Sequence, residues 1–417
     1  MGLDVKKPRG RWLALIAVGV AVLVAAIIGV VALAAGGDSG GTASSGIDTS
    51  FKEPAHFESV DWVYDKEQYD CQPTDSMCVR KFLVKVTDDY GPQASLGVMQ
   101  RLQQDQRVDM SVNDHDMAHS VGRETAKDYG SNFKAFDLCP TTFNYGCDHG
   151  FFEYVLARTP NARQAATTIC ESLNPATNLL IAGFTCYHGV GHGIMMAEGY
   201  DVHRSLKSCN TMPDKEAQDG CWQGVFMENV NAGMQGRALP GYFTKRDPLS
   251  PCDKVGVKYR HECYINHAGW LMVVSKDNIG ASSRYCSNAK PARYKSSCWQ
   301  SIGLMVTNPV WQGPLAPDLA GKSPATIGAA LCHRFPKAGR QDCVVAGVDN
   351  LANFDQLEVT REHAFCKEVT ADLQGDCFSR IGLDLAARTH DEAVIRKGCD
   401  ALGEQARFCL QGANLSA

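Results

Sequence analysis

The segment Cys186-Tyr187-His188-Gly189-Val190-Gly191-His192-Gly193 contains a cysteine followed by two histidines that are four positions apart. On an α-helix, side chains four positions apart lie on the same face. Residues 147–153 repeat this frame, with His149 two positions and Glu153 six positions after Cys147. The frame predicts helical units that each present a pair of polar side chains on one face.

Cysteines recur along the chain in a regular order. There are 18 of them, an even number, which favours disulfides over free thiols or thiolate metal ligands in an exported protein. The predicted disulfides join consecutive cysteines, as Cys71/Cys78, Cys139/Cys147, Cys170/Cys186, Cys209/Cys221, Cys252/Cys263, Cys286/Cys298, Cys332/Cys343, Cys366/Cys377 and Cys399/Cys409.

The pairs recur with a period that indicates repeats. From Cys139 onwards, the first cysteines of successive pairs are 31 positions apart (Cys139 to Cys170) to 46 positions apart (Cys286 to Cys332). The segments that flank the pairs are typical of helices, at 151–157, 163–169, 225–232, 268–274, 302–306, 344–351, 355–365, 381–387 and 391–397. The predicted fold class is all-α, with disulfide-stapled αα-hairpin repeats, solenoid-like, that follow one N-terminal transmembrane helix. Because a two-helix unit cannot bury its own apolar face, neighbouring units are expected to stack.

Two kinds of interruption are expected in this array. The interval from Cys78 to Cys139 is long enough for an additional helix pair at 93–103 and 115–128, and the second of these helices carries His115 and His119. Residues 232–251 and 308–323 are rich in glycine and proline, which predicts loop insertions after Cys221 and Cys298.

The N-terminal part of the chain predicts a membrane anchor. Residues 12–35 are 24 apolar positions without a charge, long enough to span a bilayer, and residues 1–11 carry four basic side chains. We therefore expect a cytoplasmic N-terminus at 1–11, a transmembrane signal-anchor at 12–35, a flexible linker at 36–50 and an extracytoplasmic helical repeat domain at 51–417. A cleaved signal peptide is the alternative.

A metal site is predicted where the first units meet. If the units stack in phase, His149 and Glu153 become neighbours of His188 and His192, and the helix with His115 and His119 adjoins them. Five imidazoles and one carboxylate suit zinc, iron, copper or manganese, and are too rich in nitrogen for calcium or magnesium. Six donors exceed the needs of one tetrahedral ion, so a mononuclear and a dinuclear site are both open. The predicted ligands are His115, His119, His149, Glu153, His188 and His192.

The chemistry of this site has several interpretations. As an enzyme, the protein would be a metal-dependent oxidoreductase or hydrolase, with Glu153 as a ligand or as the general base acting on bound water. Asp116, Asp148 or Glu228 would orient the imidazoles. The alternatives are non-catalytic metal capture, a scaffold that binds a protein or a cell-wall polymer, and a hydrogen-bonded polar seam without metal.

Other classes of function find no support in the sequence. The net charge is -5 and no basic run lies beyond the N-terminus, so we expect no nucleic-acid partner. A P-loop, a dinucleotide fingerprint and a Ser-His-Asp arrangement are not apparent.

Overall fold

Helices joined by short loops make up the computed structural model, which describes residues 50–109, 114–159, 161–172, 180–239, 241–355 and 357–416. Within these residues the only β pairing is an isolated antiparallel bridge between Thr244 and Asp247. The predicted all-helical class is therefore confirmed for the described part of the chain.

Four helices precede the regular units. They are α1 (Val60–Lys66), α2 (Ser76–Tyr90), α3 (Pro92–Gln104) and α4 (Asp114–Asp128). Helices α3 and α4 occupy the long interval between Cys78 and Cys139, which confirms the additional helix pair that its length predicts. The position of α4 beside the first unit brings His115 and His119 next to the repeats.

Hairpin units follow, and in each the helix after the loop carries the second cysteine. We call the two members of a unit its first helix and its second helix. The first five units comprise α5 (Phe133–Phe136) with α6 (Thr142–Leu156), α7 (Ala162–Cys170) with α8 (Leu180–Ala197), α9 (Val202–Cys209) with α10 (Lys215–Met234), α11 (Arg260–Ile265) with α12 (Ala268–Ser275), and α13 (Ile279–Cys286) with α14 (Lys295–Val306). A single helix, α15 (Pro309–Leu315), comes next. The last three units comprise α16 (Pro324–His333) with α17 (Arg340–Asp355), α18 (Thr360–Glu368) with α19 (Ala371–Arg388), and α20 (Glu392–Asp400) with α21 (Ala406–Gly412).

The unit of Cys252 and Cys263 departs from this scheme. Residues 241–256 contain no helix and stand where other units have a first helix, and the second helix is divided into α11 and α12. The predicted insertion at 232–251 begins too early, because α10 continues to Met234. The predicted insertion at 308–323 is not a simple loop, since it contains α15. The helix expected at 355–365 begins only at Thr360.

All nine predicted disulfides are present. Eight of them each close the turn of a hairpin unit, and Cys71–Cys78 lies at the start of α2. The paired Cα atoms are 5.3 to 5.8 Å apart, within the usual range for a disulfide. Each short closed loop stabilises the fold by about 3 kcal/mol in the chain-entropy model, because it restricts the unfolded chain. The staples therefore compensate for units that are too small to be stable alone.

Capping residues define where the first helices begin. Their side chains accept hydrogen bonds from backbone N–H groups in the first helical turn, which otherwise have no partner. These caps are Asn161, Asp201, Asn278, Ser323 and Asp391. Each cap precedes the first cysteine of its unit by eight or nine positions, so the cap and the cysteine delimit a helix of about the same length.

The second helices form the continuous row that positions the site. Helices α4, α6, α8 and α10 pack side by side in this order, and the row continues through α11, α14, α17, α19 and α21. The array curves enough for α19 to contact α8. Apolar side chains from α6 to α21 form one large core, and α1 to α4 share a smaller core with Cys147.

The predicted anchor at 12–35 and nearly all of the predicted linker at 36–50 lie outside the described residues. Among the residues that are described, no helix is both long enough and apolar enough to cross a bilayer.

Candidate metal centre

The four neighbouring helices α4, α6, α8 and α10 bring the predicted site residues into one cluster. Each helix contributes two side chains at a spacing of four or five positions, so that both reach the same face. They are His115 and His119 on α4, His149 and Glu153 on α6, His188 and His192 on α8, and Gln223 and Glu228 on α10. His119, His149, Glu153, His188 and His192 are at most 5% exposed, and His115 is half-buried.

Close packing of the four helices depends on glycine. A Cβ atom at Gly150 would lie 1.9 Å from the backbone oxygen of His119, and a Cβ atom at Gly224 would lie 1.9 Å from that of His188. Both distances are far shorter than any tolerable contact. Glycine at these positions therefore sets the separation between helices, and with it the distances between the imidazoles.

Each histidine pair directs two Nε2 atoms toward each other. The Nε2 atoms of His115 and His119 are 3.0 Å apart, and those of His188 and His192 are 3.2 Å apart. Two nitrogens bonded to one ion at 2.0–2.1 Å are separated by about 2.9 Å at a right angle and by about 3.4 Å at a tetrahedral angle. Both pairs therefore have the separation that two ligands of one ion require.

The opposite nitrogen of each paired histidine contacts an oxygen. The Nδ1 of His115 lies 2.8 Å from the backbone oxygen of Phe143, and that of His119 lies 2.6 Å from Oε1 of Glu153. On the other side, Nδ1 of His188 lies 3.0 Å from Oε1 of Gln223, and Nδ1 of His192 lies 3.3 Å from Oε2 of Glu228.

These contacts assign the protons. A backbone carbonyl or an ionised carboxylate can only accept a hydrogen bond, so Nδ1 of His115, His119 and His192 must carry the hydrogen. In the neutral form of each of these imidazoles, Nε2 then has a free lone pair. Orientation of a histidine by an oxygen at one nitrogen, with the other directed at a metal, is the usual arrangement in metal sites.

His149 lies between the two histidine pairs and has a different environment. Its ring centroid is 5.1 Å from that of His115, 5.3 Å from His119, and 4.8 Å from both His188 and His192. Both of its ring nitrogens are buried, and neither has a hydrogen-bond partner among the described residues. A buried imidazole without any partner is costly, so this residue fits a metal ligand better than a polar seam.

The grouping of donor atoms favours two ions over one. His115, His119 and His149 form one group whose ligand atoms lie within 4.8 Å of one another, and His149, His188 and His192 form a second. His149 belongs to both groups, and neither contains the other pair. One ion bonded to all five imidazoles would need every pair of nitrogens to lie within about 4.2 Å.

Glu153 contacts two basic groups at once. Its Oε1 accepts from His119, and its Oε2 accepts from the guanidinium of Arg123. Burial alone would raise the pKa of this carboxyl, but His119 and Arg123 outweigh burial and lower the pKa to about 2. Glu153 also forms a group with His119 and His192 that could hold a metal. Its present contacts favour a role in orienting His119, and its predicted role as ligand or general base stays a prediction.

Burial favours the uncharged form of three of the imidazoles. It lowers the pKa of His115 to about 3, together with the effect of nearby His119. Burial also lowers the pKa of His149 and of His188 well below the ordinary value, and the surrounding histidines add to this effect. Neutral imidazoles are the form that binds metal ions.

The residues expected to orient the imidazoles have different positions. Glu228 contacts His192, whereas Asp116 lies 2.6 Å from the guanidinium of Arg80. Asp148 is buried, and burial raises the pKa of its carboxyl well above the ordinary value, with Asp137 contributing. Glu228 thus contacts a site imidazole, as expected.

Some residues of the site were not identified from the sequence. Phe143 contributes a backbone oxygen, which no side-chain pattern reveals. Arg123 lies four positions after His119, so its place on the same helix face was available as a signal. Gln223 follows Cys221 by two positions, as His188 follows Cys186, so its repeat register was available as a signal.

An open groove of about 990 Å³ adjoins the histidines. His115, His119, His149, Glu153 and His188 line one part of it, and residues of α10, α11, α14 and α15 line the rest. The centre is therefore reachable by a small molecule along the face of the second helices, although its imidazoles are mostly buried.

Comparison with known proteins identifies no relative. No family model, no curated protein and no solved structure matches this chain.

Proposed function

We propose that this protein is an extracytoplasmic metalloprotein with a dinuclear histidine centre, and that the centre acts on a ligand that enters through the adjoining groove. One ion would be held by His115 and His119, and the other by His188 and His192. His149 would contribute to the centre from its position between the pairs.

One observation carries this proposal. The two pairs of Nε2 atoms stand 3.0 and 3.2 Å apart, with each opposite nitrogen against an oxygen, and His149 between them has no hydrogen-bond partner among the described residues. In their neutral form, His115, His119 and His192 each direct an Nε2 lone pair inward, and a cation among these nitrogens removes the repulsion between them. A hydrogen-bonded polar seam without metal would leave His149 without a partner among the described residues.

The donor set restricts the choice of metal. Imidazole nitrogen suits zinc, copper, iron and manganese to different degrees, and the centre offers few carboxylate oxygens. When bound, such an ion would polarise an oxygen of the ligand or activate a water molecule. His115, His119, His188 and His192 would hold and orient the ions, and Glu153 and Glu228 would keep two of these imidazoles in the required tautomer.

The open groove favours catalysis over metal storage. A carrier or structural site is usually closed by protein ligands, whereas a catalytic site leaves a position for substrate or water. Four of the five histidines line the groove. A metal-dependent oxidoreductase or hydrolase is thus the first version of the proposal, and metal capture without catalysis is the second.

The location follows from the cysteines and the N-terminal segment. Nine disulfides are typical of a protein outside the cytoplasm. With residues 12–35 as a signal-anchor, residues 1–11 would lie in the cytoplasm, and 36–50 would tether the repeat domain 51–417 to the outer side of the membrane. Protease treatment of sealed membrane vesicles of both orientations tests this: the repeat domain should be accessible only in right-side-out vesicles.

Metal analysis tests the centre itself. The full chain, purified with its disulfides oxidised, should contain two ions per chain by elemental analysis. The double variant His188→Ala/His192→Ala should lose at least one of them. The double variant His203→Ala/His390→Ala removes two exposed histidines elsewhere and should retain both ions. Equal metal content in all three proteins would contradict the proposal.

A further inference from the structure

The groove has two chemically different parts. Around the histidines it is lined by the arginines Arg80, Arg123 and Arg237. Farther along the row of helices apolar side chains line it, with the polar side chains of Asn231, Gln235, Asn266, Ser301 and Asn308 among them. These apolar residues are Met196, Met227, Met234, Ile265, Leu304 and Trp311, contributed by successive helices from α8 to α15. A ligand that fills the groove would therefore have a polar end and an apolar end.

Each arginine is held by a carboxylate beside the histidines. Arg80 lies 2.6 Å from Asp116, Arg123 contacts Glu153, and Arg237 lies 3.8 Å from Glu228. The three arginine side chains are 32%, 33% and 46% exposed, so the guanidinium groups still face the solvent of the groove. Arg80 and Arg123 also donate to the hydroxyl of Ser120, and Arg237 also donates to Gln235 and Tyr200. Because a guanidinium group has five N–H donors, these contacts still leave donors for an anion.

The charges at the polar end balance before any metal is counted. Among the described residues that line the groove there are three arginines and three acidic residues, Asp116, Glu153 and Glu228. Each divalent ion that the centre binds therefore adds two uncompensated positive charges, and a ligand that is itself anionic satisfies them.

Resting on the proposed metal centre, we propose that the ligand is a phosphomonoester with an apolar chain, whose phosphoryl group lies at the histidines and arginines and whose chain lies along the apolar part of the groove. A dianionic phosphoryl group has three terminal oxygens, enough to contact both metal positions and one arginine. A carboxylate has two oxygens and half the charge. The methionines are adaptable side chains that suit an aliphatic chain without a fixed shape.

Binding of a homologous series tests this assignment. The full chain, in nanodiscs of a zwitterionic lipid and with its metal content measured in the same sample, is titrated calorimetrically with inorganic phosphate and with ethyl, butyl, hexyl and octyl phosphate. Empty nanodiscs correct for partition into lipid. Affinity should rise two- to fourfold per methylene group while the chain remains in the groove, since a buried methylene contributes up to about fourfold. Octanoate should bind at least tenfold more weakly than octyl phosphate, and octanol should not bind measurably.

Two matched pairs of variants separate the ends of the ligand. Leu304→Gln places a polar group in the groove and should flatten the dependence on chain length, whereas Leu383→Gln, six positions after the second cysteine of its unit like Leu304 but exposed elsewhere, should not. Arg237→Gln should weaken all phosphates about tenfold without changing the increment per methylene. Arg204→Gln, an exposed arginine outside the groove lining, should bind as the parent protein does.

The outcomes distinguish a failure of the ligand assignment from a failure of the proposed metal centre. Metal retained with no phosphate binding, or with affinity independent of chain length, overturns the ligand assignment and leaves the centre intact. Octanoate binding as tightly as octyl phosphate overturns the phosphoryl assignment. Absence of metal from the parent protein overturns the proposed function and the ligand assignment with it.

Discussion

Oε1 of Glu153 lies 2.6 Å from Nδ1 of His119, and the Nε2 of the same imidazole lies 3.0 Å from that of His115. The carboxylate on α6 thus determines which nitrogen of a histidine on α4 is available. Glu228 on α10 has the corresponding relation to His192 on α8, at 3.3 Å. The two halves of the centre are therefore built by the same rule, in which an acceptor on the next helix orients the second histidine of each pair.

This relation predicts the effect of changing Glu153. Glu153→Gln keeps an oxygen that can accept from His119 and should reduce metal affinity less than tenfold. Glu153→Ala removes the acceptor and should reduce affinity 10- to 100-fold, as is usual for residues that orient a ligand. Competition with a chromophoric chelator measures both affinities.

A direct ligand would behave differently. If Glu153 bonded to the ion, Glu153→Gln and Glu153→Ala would lose similar affinity, because an amide replaces an ionised carboxylate poorly. Glu228→Gln and Glu228→Ala offer a matched comparison in the other half of the centre. The same graded loss is expected there.

The close approach of the helices predicts a marked effect of one added methyl group. Gly150→Ala places a Cβ atom 1.9 Å from the backbone oxygen of His119, so α4 and α6 must move apart. We expect a loss of about 1–3 kcal/mol in the free energy of unfolding and a reduced metal content. Urea denaturation and elemental analysis measure the two effects.

Gly183→Ala is the matched control. Gly183 also lies in a helix of the row, α8, but outside its own stretch of helix no atom of the described residues stands within 4 Å of the position of its Cβ. Alanine is favoured over glycine within a helix by up to about 1 kcal/mol, so this variant should be unchanged or slightly more stable. Equal losses in the two variants would show that helix separation is not the cause.

The disulfides should act locally. Replacing Cys209 and Cys221 by alanine removes the staple of the unit that contributes Gln223 and Glu228, and should lower both stability and metal content. Replacing Cys399 and Cys409 should cost a similar free energy, about 3 kcal/mol, because the closed loops are of similar length. The variant without Cys399 and Cys409 should keep its metal content, because in a stacked array each unit contacts mainly its neighbours. Metal loss in both double variants would instead indicate one cooperative unit.

Glu262 should make stability depend on pH. Burial, with a smaller contribution from Asp219, raises the pKa of its carboxyl from 4.5 to about 7. The folded state binds the proton of Glu262 more tightly than the unfolded chain does. Protonation of this carboxyl at low pH therefore contributes to the free energy of unfolding. That contribution is lost as the pH rises from about 4.5 to about 7.

Glu262→Gln removes this dependence. The variant should match the parent protein near pH 4.5 and exceed it by up to about 3 kcal/mol in the free energy of unfolding at pH 8. Urea denaturation at the two pH values measures the difference. Glu216→Gln, which removes an exposed carboxylate of α10, should show the same difference from the parent protein at both pH values.

Local sequence patterns were sufficient for the helical class and the disulfides. Helix periodicity and the short separation of consecutive cysteines both act over a few residues, and each predicted pair is observed. The boundaries were less accurate. α18 begins later than expected, and α15 lies within a predicted loop, because tertiary packing determines helix ends as much as local preference does.

The sequence by itself determined which residues could meet: the four-residue spacing of the histidines and their shared register after the second cysteines placed His149, His188 and His192 on corresponding faces. Only the tertiary structure decided how they meet. The orientation of each buried imidazole depends on contacts between helices that are about 35 residues apart in the chain. Examples are the contacts of His119 with Glu153 and of His188 with Gln223. The same is true of the groove, whose lining residues come from helices as far apart in the chain as α2 and α15. Periodicity specifies the face of a helix, but the distance between helices and the direction of a side chain follow from packing.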